Sequence, residues 1–254
     1  MDSFRIIPLK VGAYVGLEHS SFTLGQNLGK KLPCPIIAFL LKSINSTILV
    51  DTGPGTPELM AERRHPAITQ TEDEQLLNAL SRHGVTPDDI DFVINTHLHY
   101  DHCYGNIHFT KQPIYLQRKE WIYAMDPLPT HWLTYESQYA GMFPPFLRNI
   151  DKQNIVLIDG KKELAPGITL VPLPGHSPGM QGVLVATSKG NRFIVSDAIP
   201  IYENWNNYSP RLPSGIMTSL TDYYDTLKVI ESYDCPILPG HDPKVFELYP
   251  PQQR

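Results

Sequence analysis

Asn95-Thr96-His97-Leu98-His99-Tyr100-Asp101-His102 decides how this chain is read. Three histidines and an aspartate fall within the six positions from His97 to His102. They follow Ile90-Asp91-Phe92-Val93-Ile94, an apolar, partly β-branched run of the kind that forms a buried strand. A strand that gives way to imidazole and carboxylate side chains points to a metal site at the edge of a sheet. If extended geometry persists past the strand, His97 and His99 project to the same side. Asp101 and His102 then lie on the turn beyond and address a second point in space. A solvated polar loop is the alternative.

On the N-terminal side, residues 4–15 read as a strand pair or one bent strand. Residues 36–42 and 46–51 read as two strands joined by a polar turn at Ser43-Ile44-Asn45. The second ends in Asp51-Thr52-Gly53-Pro54-Gly55, where Gly and Pro stop the strand. Asp51 is either a turn acceptor or a partner for a ligand histidine, and its place at a polar strand end favours the partner role. Thr71 and Glu74 form a capping box for a helix that presents Leu76, Leu77 and Leu80 and stops at Gly84. Thr86-Pro87 starts a second helix of about one turn.

On the C-terminal side, residues 113–117 form a strand and 118–123 begin a helix. Residues 126–150 hold Pro127, Pro129, Pro144 and Pro145 among aromatics, an irregular insertion that serves as a lid or substrate wall, or as a packed structural loop. Further strands cover 155–158, 168–171, 181–187, 192–196 and 235–238, and a helix covers 219–231 with Leu220, Leu227 and Ile230 on one side. Residues 198–217 read as a long loop. Four of the strands end in a candidate ligand: the histidine cluster, His176, Asp197 and His241. No internal repeat or linker divides the chain, so residues 1–254 are expected to form a single α/β domain.

Composition bounds the function. The chain has 254 residues, 41% hydrophobic and 19% charged, which fits a globular protein with a sizeable core. A formal charge of -5 and no basic run argue against a nucleic-acid partner. The start lacks a basic region followed by a long apolar one, and no run approaches the roughly 18 apolar residues of a membrane span, so no membrane association and a cytoplasmic location are expected. Cys34, Cys103 and Cys235 are too few and too far apart for a disulfide framework. Cys103, next to His102, is either a reactive thiol or a small buried filler.

The full set of motifs resembles the metallo-β-lactamase superfamily. His97, His99, Asp101 and His102 match its His-x-His-x-Asp-His motif, and Pro-Gly-His-Ser-Pro-Gly at 174–179, Ser-Asp at 196–197 and Pro-Gly-His at 239–241 follow in order. The resemblance implies a four-layer αββα sandwich with a two-metal site. It implies one metal held by His97, His99 and His176, another by Asp101, His102 and His241, and Asp197 as the bridge. Imidazole and carboxylate ligands suit zinc, with iron, manganese or cobalt as alternatives in the same set. The implied reaction is hydrolysis by a hydroxide shared between the metals, with Asp101 also able to accept or pass a proton. Gly175-His176-Ser177-Pro178-Gly179 matches a nucleophile-elbow pattern only in form, since Pro178 follows Ser177 and no helix pattern completes it.

Within the superfamily the chain is most similar to N-acyl homoserine lactonases. Glu18-His19-Ser20-Ser21, Ile48-Leu49-Val50-Asp51-Thr52-Gly53, the segment from Phe109 to Glu120 and Glu203-Asn204-Trp205 carry the likeness. The sequence ends soon after His241, so the added C-terminal domain usual in glyoxalase II-type thioesterases is not expected. Those lactonases place a tyrosine about three residues after the bridging aspartate to bind the lactone carbonyl region; here Pro200 stands there. Tyr202 is the candidate replacement, with Tyr223 and Tyr224 as others. The expected substrate is a small-molecule lactone, either an N-acyl homoserine lactone or another such as a pyridoxolactone-like ring. Thioester and phosphotriester hydrolysis, di-iron redox chemistry and a non-catalytic metal-stabilised binding protein are the rival readings. Family likeness also suggests a homodimer.

Overall fold

The computed structural model describes residues 3–65 and 67–250. Seven strands build the first sheet: β1 (Arg5–Glu18), β2 (Lys31–Lys42), β3 (Thr47–Val50), β4 (Ile68–Thr69), β5 (Phe92–Ile94), β6 (Pro113–Gln117) and β7 (Asn154–Ile158). They lie in the order β4-β1-β2-β3-β5-β6-β7. The second sheet holds β8 (Lys162–Ala165), β9 (Ile168–Pro172), β10 (Gln181–Thr187), β11 (Gly190–Ser196) and β12 (Ile237–Pro239), in the order β12-β11-β10-β9-β8.

β2 shows why the sheets stack. Its residues from Cys34 to Leu41 are all buried, so the strand is covered on both faces. Alternation sends Ile37, Phe39 and Leu41 into the core between the sheets, where they meet Leu170, Val183, Val185 and Phe193. Ile36, Ala38 and Leu40 turn the other way, toward Leu76, Ala79 and Leu80 of helix α2 (Leu76–Ser81). The second sheet is covered likewise: Phe193, Ile194, Val195 and Ser196 of β11 are buried in succession. The long helix α6 (Leu220–Ser232) adds Tyr223, Leu227 and Ile230 to its packing. The layering is the expected αββα.

Several local expectations need adjustment. Of the two forms expected for residues 4–15, the bent strand is found: β1 starts at Arg5 and has register shifts between Lys10 and Gly12 and between Tyr14 and Leu17. The Thr71–Glu74 capping box is present but opens a 3-10 turn, Glu72–Glu74, before α2 begins. The 198–217 loop contains a short helix, α5 (Tyr202–Asn206). Its first N–H is accepted by the Asp242 carboxylate at 2.7 Å, a cap that lies 40 residues away and leaves no local signal. Residues 126–150 form a series of 3-10 turns, the first at Pro129–His131 and the last at Ile150–Lys152. No helix among the described residues is long and apolar enough to cross a membrane.

Strand direction positions the site. β3, β5, β6 and β7 run parallel, so Val50 and Ile94 are neighbours and Asp51 and Asn95 leave the sheet side by side. β11 and β12 are also parallel, which sets Asp197 beside Gly240 and His241. Ligands in open α/β sheets gather at such carboxyl ends. Gln181 joins the two sheets there: its N–H donates to Thr96 O and its amide nitrogen to Asn95 O, both at 2.9 Å.

Candidate metal centre

His97, His99, Asp101, His102, His176, Asp197 and His241 converge at this edge, all buried. His97 lies on the segment after β5, and the short helix α3 (Tyr100–Cys103) turns Asp101 and His102 toward a second position. Potential donor atoms form overlapping groups within 4.8 Å: His97, His99 and His176; His97, His102 and Asp197; Asp101, His102 and His241. Asp197 lies between them. Its Oδ2 is 3.5 Å from His176 Nε2, and its Oδ1 is 3.5 Å from His102 Nε2 and 3.1 Å from His241 Nε2.

Four of the five rings are oriented from behind. Asp51, in left-handed backbone at φ 59, accepts from His102 Nδ1 at 2.9 Å and from Thr96 N and Oγ1 at 2.7 Å. This supports the partner reading of Asp51. Thr96 Oγ1 also meets His97 Nδ1 at 3.1 Å. His176 Nδ1 donates to Ile216 O and His241 Nδ1 to Pro35 O, both at 2.9 Å. These bonds leave the Nε2 atoms of His97, His102, His176 and His241 facing inward, while His99 presents Nδ1, 3.0 Å from His176 Nε2.

The donor set fits divalent cations. His97 Nε2 and His102 Nε2 are buried with no hydrogen-bond partner, an arrangement costly in a protein interior unless something else takes the lone pair. Burial, reinforced by neighbouring imidazoles, holds His97 and His99 well below the usual histidine range, and burial lowers His176 too. All three therefore offer neutral lone pairs. Burial also opposes charge on His102 and His241, but the carboxylates of Asp101 and Asp197 outweigh it and raise both. The cluster thus attracts positive charge, supplied by protons or by metal.

Behind the ligands sits Glu120, fully buried on helix α4 (Arg118–Met125). Its Oε1 accepts from Leu98 N at 3.0 Å and Tyr135 Oη at 2.8 Å, and its Oε2 from Ser177 Oγ at 2.6 Å and Gly179 N at 3.2 Å. One carboxylate therefore ties the His97–His99 loop to the loop carrying His176. Gly179 is required by this contact, since a Cβ there would collide with the Glu120 backbone. Cys103 is fully buried, its thiol 3.5 Å from Leu98 O and pushed well upward by burial, so it is a filler.

The cluster opens into a cavity of about 250 Å³. His99, Asp101, His176, Asp197 and His241 form its floor; Leu17, Phe22, Ile68, Leu133 and Ile216 give it an apolar wall. Leu133 and Thr134 come from the 126–150 insertion, which therefore supplies part of the cavity wall. Tyr135 and Phe146 of the same insertion are buried against Leu98, so it is a packed structure as well. Tyr202 is not at this site. Its hydroxyl donates to Ile237 O at 2.9 Å, because α5 points the ring into the core. Tyr223 donates to the Asp197 carbonyl at 2.9 Å and is fully buried, while Tyr224 is partly exposed on α6 and does not line the cavity. The phenols that do line it are Tyr14 and Tyr100, whose hydroxyls are 2.9 Å apart. Tyr100 lies inside the histidine motif; Tyr14 lies 86 residues away on β1, and nothing in the sequence pairs the two.

Comparison with known proteins agrees with this geometry. Residues 33–241 match the model of the Metallo-beta-lactamase superfamily. An N-acyl homoserine lactonase of Bacillus thuringiensis is 31% identical over 235 residues, 89% of this chain and 88% of that protein. The N-acyl homoserine lactonase AiiB of Agrobacterium fabrum is 30% identical over 249 residues, 91% of this chain and 88% of that protein. A solved N-acyl homoserine lactone hydrolase, with the product N-hexanoyl-L-homoserine bound at its catalytic metal center, superposes with a TM-score of 0.79 at 28% identity, covering 98% of this chain and 97% of the other. With the motifs, the two-sheet fold and the ligand edge in agreement, the chain belongs to the metallo-beta-lactamase superfamily.

Proposed function

We propose that this protein is a dinuclear metal-dependent hydrolase that opens the ring of a lactone, with N-acyl homoserine lactones as the substrate class. The observation that carries this reading is the convergence of seven buried histidine and aspartate side chains beneath a small, largely apolar cavity. His97, His99 and His176 would hold one ion, Asp101, His102 and His241 the other, and Asp197 both; the imidazole and carboxylate set suits zinc. Two such ions supply Lewis acidity toward an ester carbonyl and a water that deprotonates near neutral pH.

The chain's own residues do the rest. Asp51, Thr96 and the carbonyls of Pro35 and Ile216 fix the tautomer and direction of the ligand rings. Glu120 holds the two ligand loops at their spacing. The wall of Leu17, Phe22, Ile68, Leu133 and Ile216 excludes water and accepts an aliphatic chain, while the buried floor faces the ester. Asp101, at the floor and 3.3 Å from His102 Nε2, is the group placed to accept the proton lost by the attacking water and to pass it to the leaving alkoxide. The relatives named above as N-acyl homoserine lactonases support the substrate class.

The test is hydrolysis by metal-loaded protein of a panel of N-acyl homoserine lactones, simple lactones, thioesters, β-lactams and phosphotriesters. Lactones should be turned over best. His97→Ala should lose metal and turnover while keeping its far-ultraviolet circular dichroism. Faster hydrolysis of thioesters or phosphotriesters, or undiminished turnover by His97→Ala, would overturn the proposal.

A further inference from the structure

The hydroxyls of Tyr14 and Tyr100 are a polar pair in a cavity whose wall is otherwise mostly apolar. Both side chains are buried, yet both line the cavity over the ligands. A phenol placed in such surroundings needs a hydrogen-bond partner. The pair satisfies that need only in part. Two hydroxyls carry two protons, and the bond between them uses one. The second is left for another acceptor. The carboxylate of Asp101 is within hydrogen-bond reach of Tyr14, and the cavity that both phenols line holds the substrate.

The pair is also held rigidly. The Tyr100 N–H donates to Thr134 O at 2.9 Å. Its ring is stacked on His65 with centroids 3.6 Å apart and planes 17° from parallel. His65 Nε2 in turn lies 3.3 Å from Glu136 Oε1, and Glu136 Oε2 accepts from Tyr104 Oη at 2.6 Å. Tyr14 is fixed on the other side by β1 and by its ring contact with His241, at 5.8 Å between centroids. Rings fixed before substrate arrives leave only a hydroxyl rotation to be made when charge develops next to them.

We infer that the Tyr14–Tyr100 hydroxyl pair donates a hydrogen bond to the carbonyl oxygen of the bound lactone and stabilises the negative charge that oxygen gains as the ring opens. In this arrangement the Tyr14 proton turns from the Asp101 carboxylate to Tyr100, and Tyr100 donates to the substrate. Neither phenol is deprotonated. The inference rests on the lactonase reading, and it assigns to residues of β1 and α3 the contact that Tyr202 cannot make from the core.

Tyr14→Phe, Tyr100→Phe and the double variant, each loaded with metal, test it on a lactone that the wild type hydrolyses. Tyr100→Phe should lower kcat by about 10- to 100-fold, as for loss of one donor to a developing oxyanion, Tyr14→Phe should lower it less but by more than about twofold, and both should leave KM within about threefold. The double variant should be no worse than the weaker single variant, because the two hydroxyls act as one device. Metal content should stay at the wild-type value. A kcat within about twofold of wild type would overturn the inference. So would a loss carried by KM alone, or a metal content that falls in step with kcat. An active wild type with unaffected variants strikes only the tyrosine pair; a wild type without lactonase turnover strikes both readings.

Discussion

Replacing Glu120 by alanine should destabilise the fold severely and loosen the metal centre with it. The side chain is fully buried and accepts four hydrogen bonds. The hydroxyls of Tyr135 and Ser177 can rotate toward other acceptors. The N–H groups of Leu98 and Gly179 are fixed in the backbone and cannot. A buried donor left unpaired costs about 1–3 kcal/mol, so these two alone cost about 2–6 kcal/mol, a large share of the about 5–15 kcal/mol that holds a typical domain. Glu120→Gln keeps the volume but turns one oxygen into a donor facing donors, so about 1–3 kcal/mol is expected. Denaturant unfolding of metal-free protein gives the stability without the contribution of bound ions. Titration with zinc then reports the centre. His97, His99 and His176 sit on the loops that Glu120 joins, so affinity should fall in the order wild type, Gln, Ala. An alanine variant within about 1 kcal/mol of wild type and with unchanged zinc affinity would refute the reasoning.

Two further outcomes follow from the same geometry. Asp101 and Asp197 raise the proton affinity of His102 and His241, so an entering cation must displace protons. Raised imidazole pKa values mean that protons compete below them and leave above them, so zinc affinity should rise with pH across the neutral range and calorimetry in buffers of different ionisation enthalpy should show proton release; a pH-independent affinity would contradict this. Asn204, fully buried, donates to Phe22 O at 2.7 Å and Leu212 O at 3.0 Å. Asn204→Ala should loosen the wall formed by Phe22 and Ile216 and raise KM several-fold, with kcat and zinc content changed far less; a selective loss of kcat would show that Asn204 acts otherwise.

The sandwich was legible where burial follows a short period. β2, β10 and β11 are dense apolar runs bounded by turns, and their alternation or full burial is what a strand between two layers needs. The elements missed or altered depend on distant partners. Helix α5 is capped by Asp242, and β8 pairs with β9 despite an exposed Lys162 and Glu163. Helix α1 (Pro57–Glu62) did carry a local sign, Thr56 followed by Pro57 at the first helical position.

By itself, the sequence determined the kinds of candidate ligand and their order, because each sits just after a strand-like run and the motif spacing is local. Only the tertiary structure decided which polar groups meet at the centre. It turned Tyr202 onto Ile237, brought Tyr14 to Tyr100, and set Glu120 between two ligand loops. A side chain's direction follows from the path of its backbone and the packing behind it, and those come from segments remote in the chain. The histidine motif therefore names the chemistry, while the strands and loops around it select the groups that face the substrate.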